Sequence, residues 1–148
     1  MARRTTDIRI EQPLTTVWAT LWDETSWPRL SDAVDAVDLI DPGDRHGNGR
    51  VRRIHQYRRF WDPTIMMERT ERVAHHRSID AVVHHHRADL RHGWHLDLVA
   101  SGPTTTLVTL SETVEVDEAR YPGETRWLTK RLLSMRPALL VALSESPG

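Results

Sequence analysis

The sequence predicts an α+β fold in which about seven antiparallel strands are followed by one long helix, with one or two short helices after the first strand. Two patterns predict it. Between residues 34 and 116, segments with the two-residue alternation of half-buried strands are separated by turn residues. After residue 123 the apolar residues instead recur every 3.6 positions, as they do on a helix that lies against a sheet.

The first strand and the first helix meet at Pro13. Ile8 and Ile10 lie on one face of residues 6–11 and charged residues lie on the other, which is typical of a half-buried strand. Pro13 ends this strand and stands at the first-turn position that helices favour. The helix that follows has its apolar positions at Leu14, Val17, Trp18 and Leu21. Residues 23–31 then indicate a break and a second short helix.

Six further strands and the last helix are predicted from turn signals and periodicity. The strand ranges are 34–40, 50–60, 65–73, 79–87, 90–99 and 104–116. The first of them are separated by Asp41-Pro42-Gly43, Gly47-Asn48-Gly49 and Asp62-Pro63. The last helix begins after residue 123, and its stripe consists of Leu128, Leu132, Met135, Leu139 and Leu143. Because proline removes a backbone donor and clashes with the preceding turn, we expect a kink or break at Pro137.

The composition is that of one domain, and it excludes several functions. The chain has 148 residues, of which 39% are hydrophobic, enough for a core in a single domain spanning residues 1–148. Twenty Lys and Arg against twenty-one Asp and Glu leave no basic excess, so nucleic-acid binding lacks its electrostatic footprint. Without cysteine the chain has no disulfide, thiolate metal site or cysteine nucleophile, and no signal or membrane-spanning segment is visible. We therefore expect a soluble cytoplasmic protein.

Glu112 is the first candidate site residue, because strand alternation turns it towards the core. In the strand from 104 to 116 the even positions are mostly apolar and the odd positions mostly polar. A lone ionised carboxylate in a core is costly, so Glu112 must be paired, hydrogen-bonded, hydrated or protonated. Two interpretations stay open. Glu112 is either a general acid, general base or ligand anchor, or it forms a structural ion pair with Arg69 or another arginine.

The same alternation turns two histidines and a tryptophan inward. His85 lies on the inner face of the strand from 79 to 87, and His92 and Trp94 lie on the inner face of the next strand. If the turn between these strands centres on residues 89–90, His85 is opposite Trp94. His85 is either a proton-transfer partner that acts near neutral pH or a histidine satisfied by a neighbouring group.

The strands from 50 to 60 and from 65 to 73 alternate less regularly. In the later strand the preferred inward set is Ile65, Met67, Arg69, Glu71 and Val73. In the earlier strand one set consists of Val51, Arg53, His55, Tyr57 and Trp61. The other set consists of Arg52, Ile54, Gln56 and Phe60. In the earlier strand we prefer the first of these two sets. The inward set of the later strand makes Arg69 and Glu71 candidate partners of Glu112.

Three histidines form a candidate metal site. His84 and His86 stand two apart on one strand, and the assumed register places His95 opposite His84, which is a plausible geometry for zinc ligands. By alternation all three face outward, and no carboxylate is placed within reach. An exposed histidine patch is therefore the preferred interpretation, and no bound metal is predicted.

A set of short motifs extends along most of the chain. They are Ile10-Glu11-Gln12-Pro13, Val17-Trp18, Leu21, Asp23, Trp27-Pro28, Gly49, Glu71-Arg72-Val73 and the long last helix. This set resembles the START-like superfamily (SRPBCC, Bet v 1-like, helix-grip) and its polyketide cyclase/dehydrase branch. The resemblance implies a strongly curved antiparallel sheet wrapped round the C-terminal helix, with an apolar cavity between them. Because one fold hosts many functions, it implies a binding architecture rather than a reaction.

The resemblance also implies roles for individual residues. Members with aromatase or cyclase activity place arginine, tyrosine and histidine in the cavity, where they polarise carbonyls and hold an enolate. Arg69, Tyr57 and His85 are the matching residue types here. We therefore expect a polyketide cyclase-like enzyme of secondary metabolism that needs no cofactor and folds a hydrophobic poly-carbonyl or polyene-like chain. Glu112 would act as base and His85 as acid. The substrate would also contact Trp94, His92, Met67, Glu71, Trp61, His55, Leu110, Leu132 and Met135.

Two other functions stay open. The protein could be a non-catalytic carrier or sensor of a hydrophobic small molecule, in which Glu112 and Arg69 only satisfy each other. It could also be an accessory subunit that docks through its tryptophans, of which it has six. The partner expected is a hydrophobic small molecule, without nucleic acid or membrane insertion, and a homodimer is left open.

Overall fold

The computed structural model describes residues 1–58, 61–85 and 90–146, and the side chains of residues 57, 58 and 61–64 lie outside the described part. The strands are β1 (Ala2–Ile10), β2 (Ala36–Asp41), β3 (Val51–Arg58), β4 (Trp61–Ala74), β5 (Ser78–His85), β6 (Arg91–Ala100) and β7 (Thr106–Glu115). The helices are α1 (Leu14–Trp22), α2 (Trp27–Leu30), α3 (Thr125–Leu132) and α4 (Met135–Glu145), with a short 3-10 turn at Glu24–Ser26 before α2.

The seven strands form one curved antiparallel sheet in the order β1-β7-β6-β5-β4-β3-β2. Its inner face carries the main core, to which α1 and α4 contribute apolar side chains. Helix α4 lies against β1, at one edge of the sheet. The predicted fold class is confirmed. No helix in the described part of the chain is long and apolar enough to cross a membrane.

The C-terminal helix is divided one turn before Pro137. Helix α3 ends at Leu132 and α4 begins at Met135, so Leu133 and Ser134 form the break. Pro137 is the third residue of α4, where a backbone N–H would have no partner within the helix. Because a proline ring clashes with the carbonyl four residues earlier, here Leu133, a continuous helix is interrupted at that residue. The predicted break exists, but it lies N-terminal to the proline that causes it.

Strand alternation was correct for β5, β6 and β7. The buried positions of these strands, all on the inner face, are Ile79, Ala81, Val83, His92, Trp94, Leu96, Leu98, Thr106, Val108, Leu110, Glu112 and Val114. Glu112 is only 1% exposed. The carboxylate therefore lies inside the protein, as its position in the strand predicted.

Alternation was wrong for β3 and β4. Arg52, Ile54 and Gln56 are the buried residues of β3, so His55 faces outward. In β4 the buried residues are Met66, Glu68 and Thr70, so Met67, Arg69 and Glu71 face outward. The cause in β4 is a bulge between Thr70 and Arg72, where Glu71 is the unpaired residue. A bulge reverses which residues of a strand point inward. Val73, after the bulge, points inward, but Arg69, before it, points outward although the two residues are an even number of positions apart.

The register of β5 and β6 also differs from the prediction. Ala81 pairs with Trp94 and Val83 with His92, a shift of four residues that leaves the faces unchanged. His95 therefore lies opposite Asp80 rather than His84, and the proposed zinc geometry is wrong for that pair. His86 lies outside the described residues. Within those residues, no three His, Asp or Glu side chains are grouped as metal ligands.

Gly47 offers a test of how the loop before β3 packs on α1. Its φ is +87°, and a Cβ there would lie 2.5 Å from the ring of Trp22. Gly49 has a similar φ of +77° and open space around it. Both alanine variants incur the left-handed backbone strain of about 1–2 kcal/mol. We predict that Gly47→Ala lowers the free energy of unfolding by about 1–3 kcal/mol more than Gly49→Ala does, because Trp22 must move. Urea titrations of the two variants measure the difference, and equal losses would contradict the contact.

Candidate functional site

A group of buried polar side chains lies between α4 and the inner face of the sheet. Its members are Arg52, Glu68, His92, Trp94, Glu112 and Arg136, which we call the buried network. They come from β3, β4, β6, β7 and α4. Burial removes water from these groups, so their hydrogen bonds to one another decide whether the arrangement is tolerated.

Arg136 joins the helix to the sheet. Its Nη1 donates to Glu112 Oε2 at 2.9 Å, and its Nη2 donates to Glu68 Oε2 at 2.6 Å. Its guanidinium also lies 5.5 Å from the ring of Trp94, whose Nε1 donates to Glu68 Oε2 at 3.1 Å. One arginine on α4 therefore holds carboxylates from β4 and β7 at once.

Arg52 extends the network towards α1. Its Nη1 donates to Glu68 Oε1 at 3.2 Å, and its Nη2 donates to the carbonyl of Trp22 at 2.7 Å. Glu24 lies beside it and accepts from Arg50 at 2.8 Å. The charges balance, because the cations of Arg50, Arg52 and Arg136 face the anions of Glu24, Glu68 and Glu112.

Two histidines continue the network from Glu112 towards the strand ends. His92 Nε2 lies 2.5 Å from Glu112 Oε2, and His92 Nδ1 lies 2.8 Å from His85 Nε2. The side chain of His92 is fully buried, whereas His85 is only partly buried. The two rings are nearly parallel, with centroids 5.1 Å apart. Glu112, His92 and His85 therefore form a file that leads out of the core.

Burial controls the ionisation of these groups. Burial, with smaller contributions from the neighbouring His92 and Arg136, lowers the pKa of His85 to about 3. Burial also lowers the pKa of His92, although its hydrogen bond to Glu112 opposes that shift. For Glu68, burial alone would raise the pKa, but attraction by Arg136 and Arg52 outweighs it and the pKa lies below its ordinary value. At neutral pH both imidazoles are uncharged and Glu68 is ionised.

A small cavity lies beside the network. Its volume is about 30 Å³, and Arg52 and Arg136 are the polar side chains of its lining. The rest of the lining is apolar: Leu21, Trp27, Ile79, Trp94, Leu96, Leu110, Leu139 and Leu140. The space suffices for one or two water molecules, whereas pockets for organic ligands usually measure about 300–1,000 Å³. Within the described part of the chain, three buried atoms of the network have no hydrogen-bond partner: Arg52 Nε, Arg136 Nε and Glu112 Oε1.

The structure brings together five of the thirteen predicted site residues. Glu112, His92, Trp94 and His85 belong to the network or its file, and Leu110 lines the cavity. Met135 is buried in the main core, while Leu132 is buried in a second cluster with Val114 and Leu133.

The other predicted residues lie elsewhere. Arg69 and Glu71 bond to each other at 2.8 Å on the outer face, with side chains 51% and 44% exposed, so their predicted inward positions are wrong. His55 faces outward beside Asp38, and Met67 also lies on the outer face. The side chains of Tyr57 and Trp61 lie outside the described residues.

Sequence reasoning missed Arg52, Glu68 and Arg136. Arg52 belongs to the β3 set that was considered and not preferred. Glu68 follows two methionines, Met66 and Met67, which fit either face and so gave no guidance. The burial of Arg136 could have been predicted from the sequence, because it stands four residues before Leu140 and seven before Leu143, on the buried side of α4.

Removing Arg136 tests the strength of the network. In Arg136→Met, Glu68 and Glu112 both lose their bonds to α4, and we predict a loss of about 3–5 kcal/mol in the free energy of unfolding. Arg69→Met removes an exposed pair and should cost less than about 1 kcal/mol. Chemical denaturation of both variants makes the comparison. A loss for Arg136→Met as small as that for Arg69→Met would show that the network contributes little.

The neutral His85 predicts a pH dependence of stability. As pH falls from 6.5 towards 3, the unfolded chain protonates this imidazole while the folded protein does not, so stability is lost in that window. The slope is about 1.4 kcal/mol per pH unit for one group. His85→Gln should therefore lose stability less steeply between pH 6 and pH 4 than the wild type, by urea denaturation at each pH. The matched control is His84→Gln on the exposed neighbour, and equal slopes for His85→Gln and wild type would refute the assignment.

Comparisons with solved structures identify the fold. No family model and no curated protein matches the chain. Among solved structures, a START superfamily protein from Mycobacterium smegmatis matches with a TM-score of 0.77 and 13% identity, over 96% of this chain and 94% of that one. The Zhui aromatase/cyclase from a Streptomyces species matches with a TM-score of 0.72 and 14% identity, over 95% and 87%.

A third solved structure covers only part of a longer protein. The di-domain ARO/CYC BexL of the BE-7585A biosynthetic pathway matches with a TM-score of 0.74 and 19% identity, over 97% of this chain and 45% of that one. These likenesses agree with the curved sheet, the short helices after β1 and the C-terminal helix described above. The chain has the START-like helix-grip fold.

Proposed function

We propose that the protein is a polyketide cyclase-like enzyme, which binds an apolar carbonyl compound between α4 and the sheet and moves protons on it. The observation that carries this proposal is the state of Glu112. One of its oxygens is held by Arg136 and His92, while the other is buried with no hydrogen-bond partner among the residues that the structure describes. A buried carboxylate with a free oxygen is available to take or give a proton.

The two arginines that line the cavity would stabilise the negative charge that proton removal creates. Removing a proton next to a carbonyl leaves negative charge on the carbonyl oxygen, and donors aimed at that oxygen stabilise the transition state. Both side chains line the cavity, and among the described residues neither Arg136 Nε nor Arg52 Nε has a hydrogen-bond partner, although Arg52 Nε lies 3.7 Å from Glu24 Oε2. In the proposal these two arginines take the role that the sequence suggested for Arg69 or Tyr57, and Glu112 is the acid–base group.

The cavity must enlarge to accept such a compound. Its present volume of about 30 Å³ is roughly a tenth of an ordinary ligand pocket. Helix α4 covers the cavity with Leu139 and Leu140, and it joins α3 through the non-helical Leu133 and Ser134. We propose that the part of α4 that carries Leu139 and Leu140 moves outward when the ligand enters, while Arg136 keeps its bonds to Glu68 and Glu112.

The comparisons support this class of function. Two of the matched structures are described as an aromatase/cyclase and an ARO/CYC protein, and a third as a START superfamily protein. Cyclisation of a folded poly-carbonyl chain needs enclosure and one acid–base group more than it needs a cofactor. We propose that the enzyme acts in the cytoplasm, in secondary metabolism such as antibiotic biosynthesis, as a lyase or isomerase.

A non-catalytic carrier or sensor is the second candidate. The observation that favours it is the charge balance, since each carboxylate of the network has an arginine partner. Such a network can hold α4 on the sheet without any chemistry. The ligand would then leave the protein unaltered.

Glu112→Gln separates the two candidates. The amide keeps the size of the side chain and cannot act as a base, so we predict that product formation from a soluble linear poly-β-ketone falls by at least 100-fold. Binding of the same compound, measured by tryptophan fluorescence, should change by less than about threefold, since the amide oxygen can still accept from Arg136 and His92, through weaker hydrogen bonds than the carboxylate makes. Product is measured by liquid chromatography with mass spectrometry.

Glu115→Gln is the matched control, because Glu115 is an exposed glutamate of the same strand. It should turn over the compound as the wild type does. Unchanged product formation by Glu112→Gln would remove Glu112 from the chemistry. A wild type that binds the compound and returns it unaltered would favour the carrier.

A further inference from the structure

The file of Glu112, His92 and His85 contains more hydrogen bonds than are needed to pair the charge of Glu112. Its three groups come from β7, β6 and β5, and consecutive polar atoms lie within 2.8 Å of each other. Arg136 already satisfies the charge of Glu112. In each imidazole a ring nitrogen points at the next group of the file. The hydrogen bonds therefore continue without a gap from the buried Glu112 to the partly buried His85.

The positions of the ring protons follow from the donors and acceptors. Glu112 Oε2 is a carboxylate oxygen that accepts from Arg136, so His92 Nε2 must carry the proton that faces it. A neutral imidazole has one N–H, so His92 Nδ1 is unprotonated and accepts. His85 Nε2 must then carry the proton that faces His92, which leaves His85 Nδ1 unprotonated at the outer end.

We propose that this file is a proton relay, which connects Glu112 to solvent through His92 and His85. A proton from water binds His85 Nδ1 and the proton on His85 Nε2 passes to His92 Nδ1. The proton on His92 Nε2 then passes to Glu112 Oε2. One proton enters and one arrives, and both imidazoles end neutral with the opposite nitrogen protonated. The reverse transfer returns the carboxylate, so Glu112 exchanges a proton with solvent through Oε2. Use of this proton in turnover rests on the proposed function and requires the carboxyl group to rotate, so that the protonated oxygen takes the position of Oε1.

Burial and the surrounding charges together disfavour a positive charge on either imidazole, so the proton would pass along the file without a long-lived imidazolium. Glu112 faces His92 from β6 and Arg136 from α4, while Arg4 of β1 lies opposite it in register and bonds to the Leu133 carbonyl. Arg136 and His84 are the charged or titratable neighbours that disfavour a cation on His85, besides His92 itself. Glu68 acts on His92 in the opposite sense. The lowered pKa values of both histidines agree with this, because they keep the resting imidazoles neutral.

The relay can be tested without any substrate. In long-range ¹H–¹⁵N spectra of the wild type, His92 should appear protonated at Nε2 and bare at Nδ1, and His85 likewise. The His85 ring should not titrate between pH 5 and pH 8, and the pKa of His92 should lie below the ordinary histidine value of 6.5. A proton on His92 Nδ1 at neutral pH, or protonation of either ring near pH 6.5, would overturn the proposal.

Two variants of His85 separate a relay from a structural hydrogen bond. Gln at this position can still donate to His92 Nδ1 but cannot pass a proton on, and Phe can do neither. If the file conducts protons, solvent exchange of the His92 Nε2–H slows at least tenfold in both His85→Gln and His85→Phe. His84→Gln, an exposed change on the same strand, should exchange as the wild type does.

Each outcome decides one question. Exchange in His85→Gln that equals or exceeds the wild-type rate would show that His85 only donates a hydrogen bond. Wild-type protein that exchanges through His85 but forms no product would leave the relay standing and defeat the cyclase. Loss of turnover in Glu112→Gln together with unaltered exchange in His85→Gln would leave the cyclase standing and defeat the relay.

Discussion

The attachment of α4 to the sheet depends on Arg136. Three charged groups, Arg136, Glu68 and Glu112, are removed from water at the same place, and each would be costly alone. The cost is offset only when the guanidinium reaches both carboxylates, at 2.6 and 2.9 Å. That condition restricts the position of α4 along the sheet far more than leucine packing does, since apolar contacts tolerate sliding and hydrogen bonds do not. The network therefore constrains where α4 lies, and loss of one partner is costly because it leaves an unpaired buried charge.

The same arrangement makes the small cavity chemically unusual. Its walls are leucine, isoleucine and tryptophan, yet two arginines border it. In such a setting little water is present to screen charge, so donors act strongly on any oxygen that enters. The network has no excess charge, which allows the empty protein to be stable. A ligand oxygen would compete for donors that are now unpartnered, rather than for those that hold the helix.

Local alternation predicted the inner faces correctly wherever a strand was uninterrupted. In β7 a run of apolar even positions identified Glu112 as buried, and in β6 the same reasoning identified His92 and Trp94. It was wrong in β4, where the bulge at Glu71 reversed the alternation and the adjacent Met66 and Met67 concealed the change. In β3, arginines stand on both faces, and polarity alone does not tell an arginine in a buried ion pair from one in water.

The sequence by itself determined the order of the helices and strands, the fold class and the burial of Glu112, because these depend on backbone periodicity and on turn residues close in the chain. Only the tertiary structure decided which groups meet. Glu112 is bound by an arginine from α4 rather than by Arg69, and Trp94 lies opposite Ala81 rather than His85, because the strands pair four residues away from the predicted register. Partners so distant in sequence are chosen by strand register and helix placement, and these are set by the packing of the whole core.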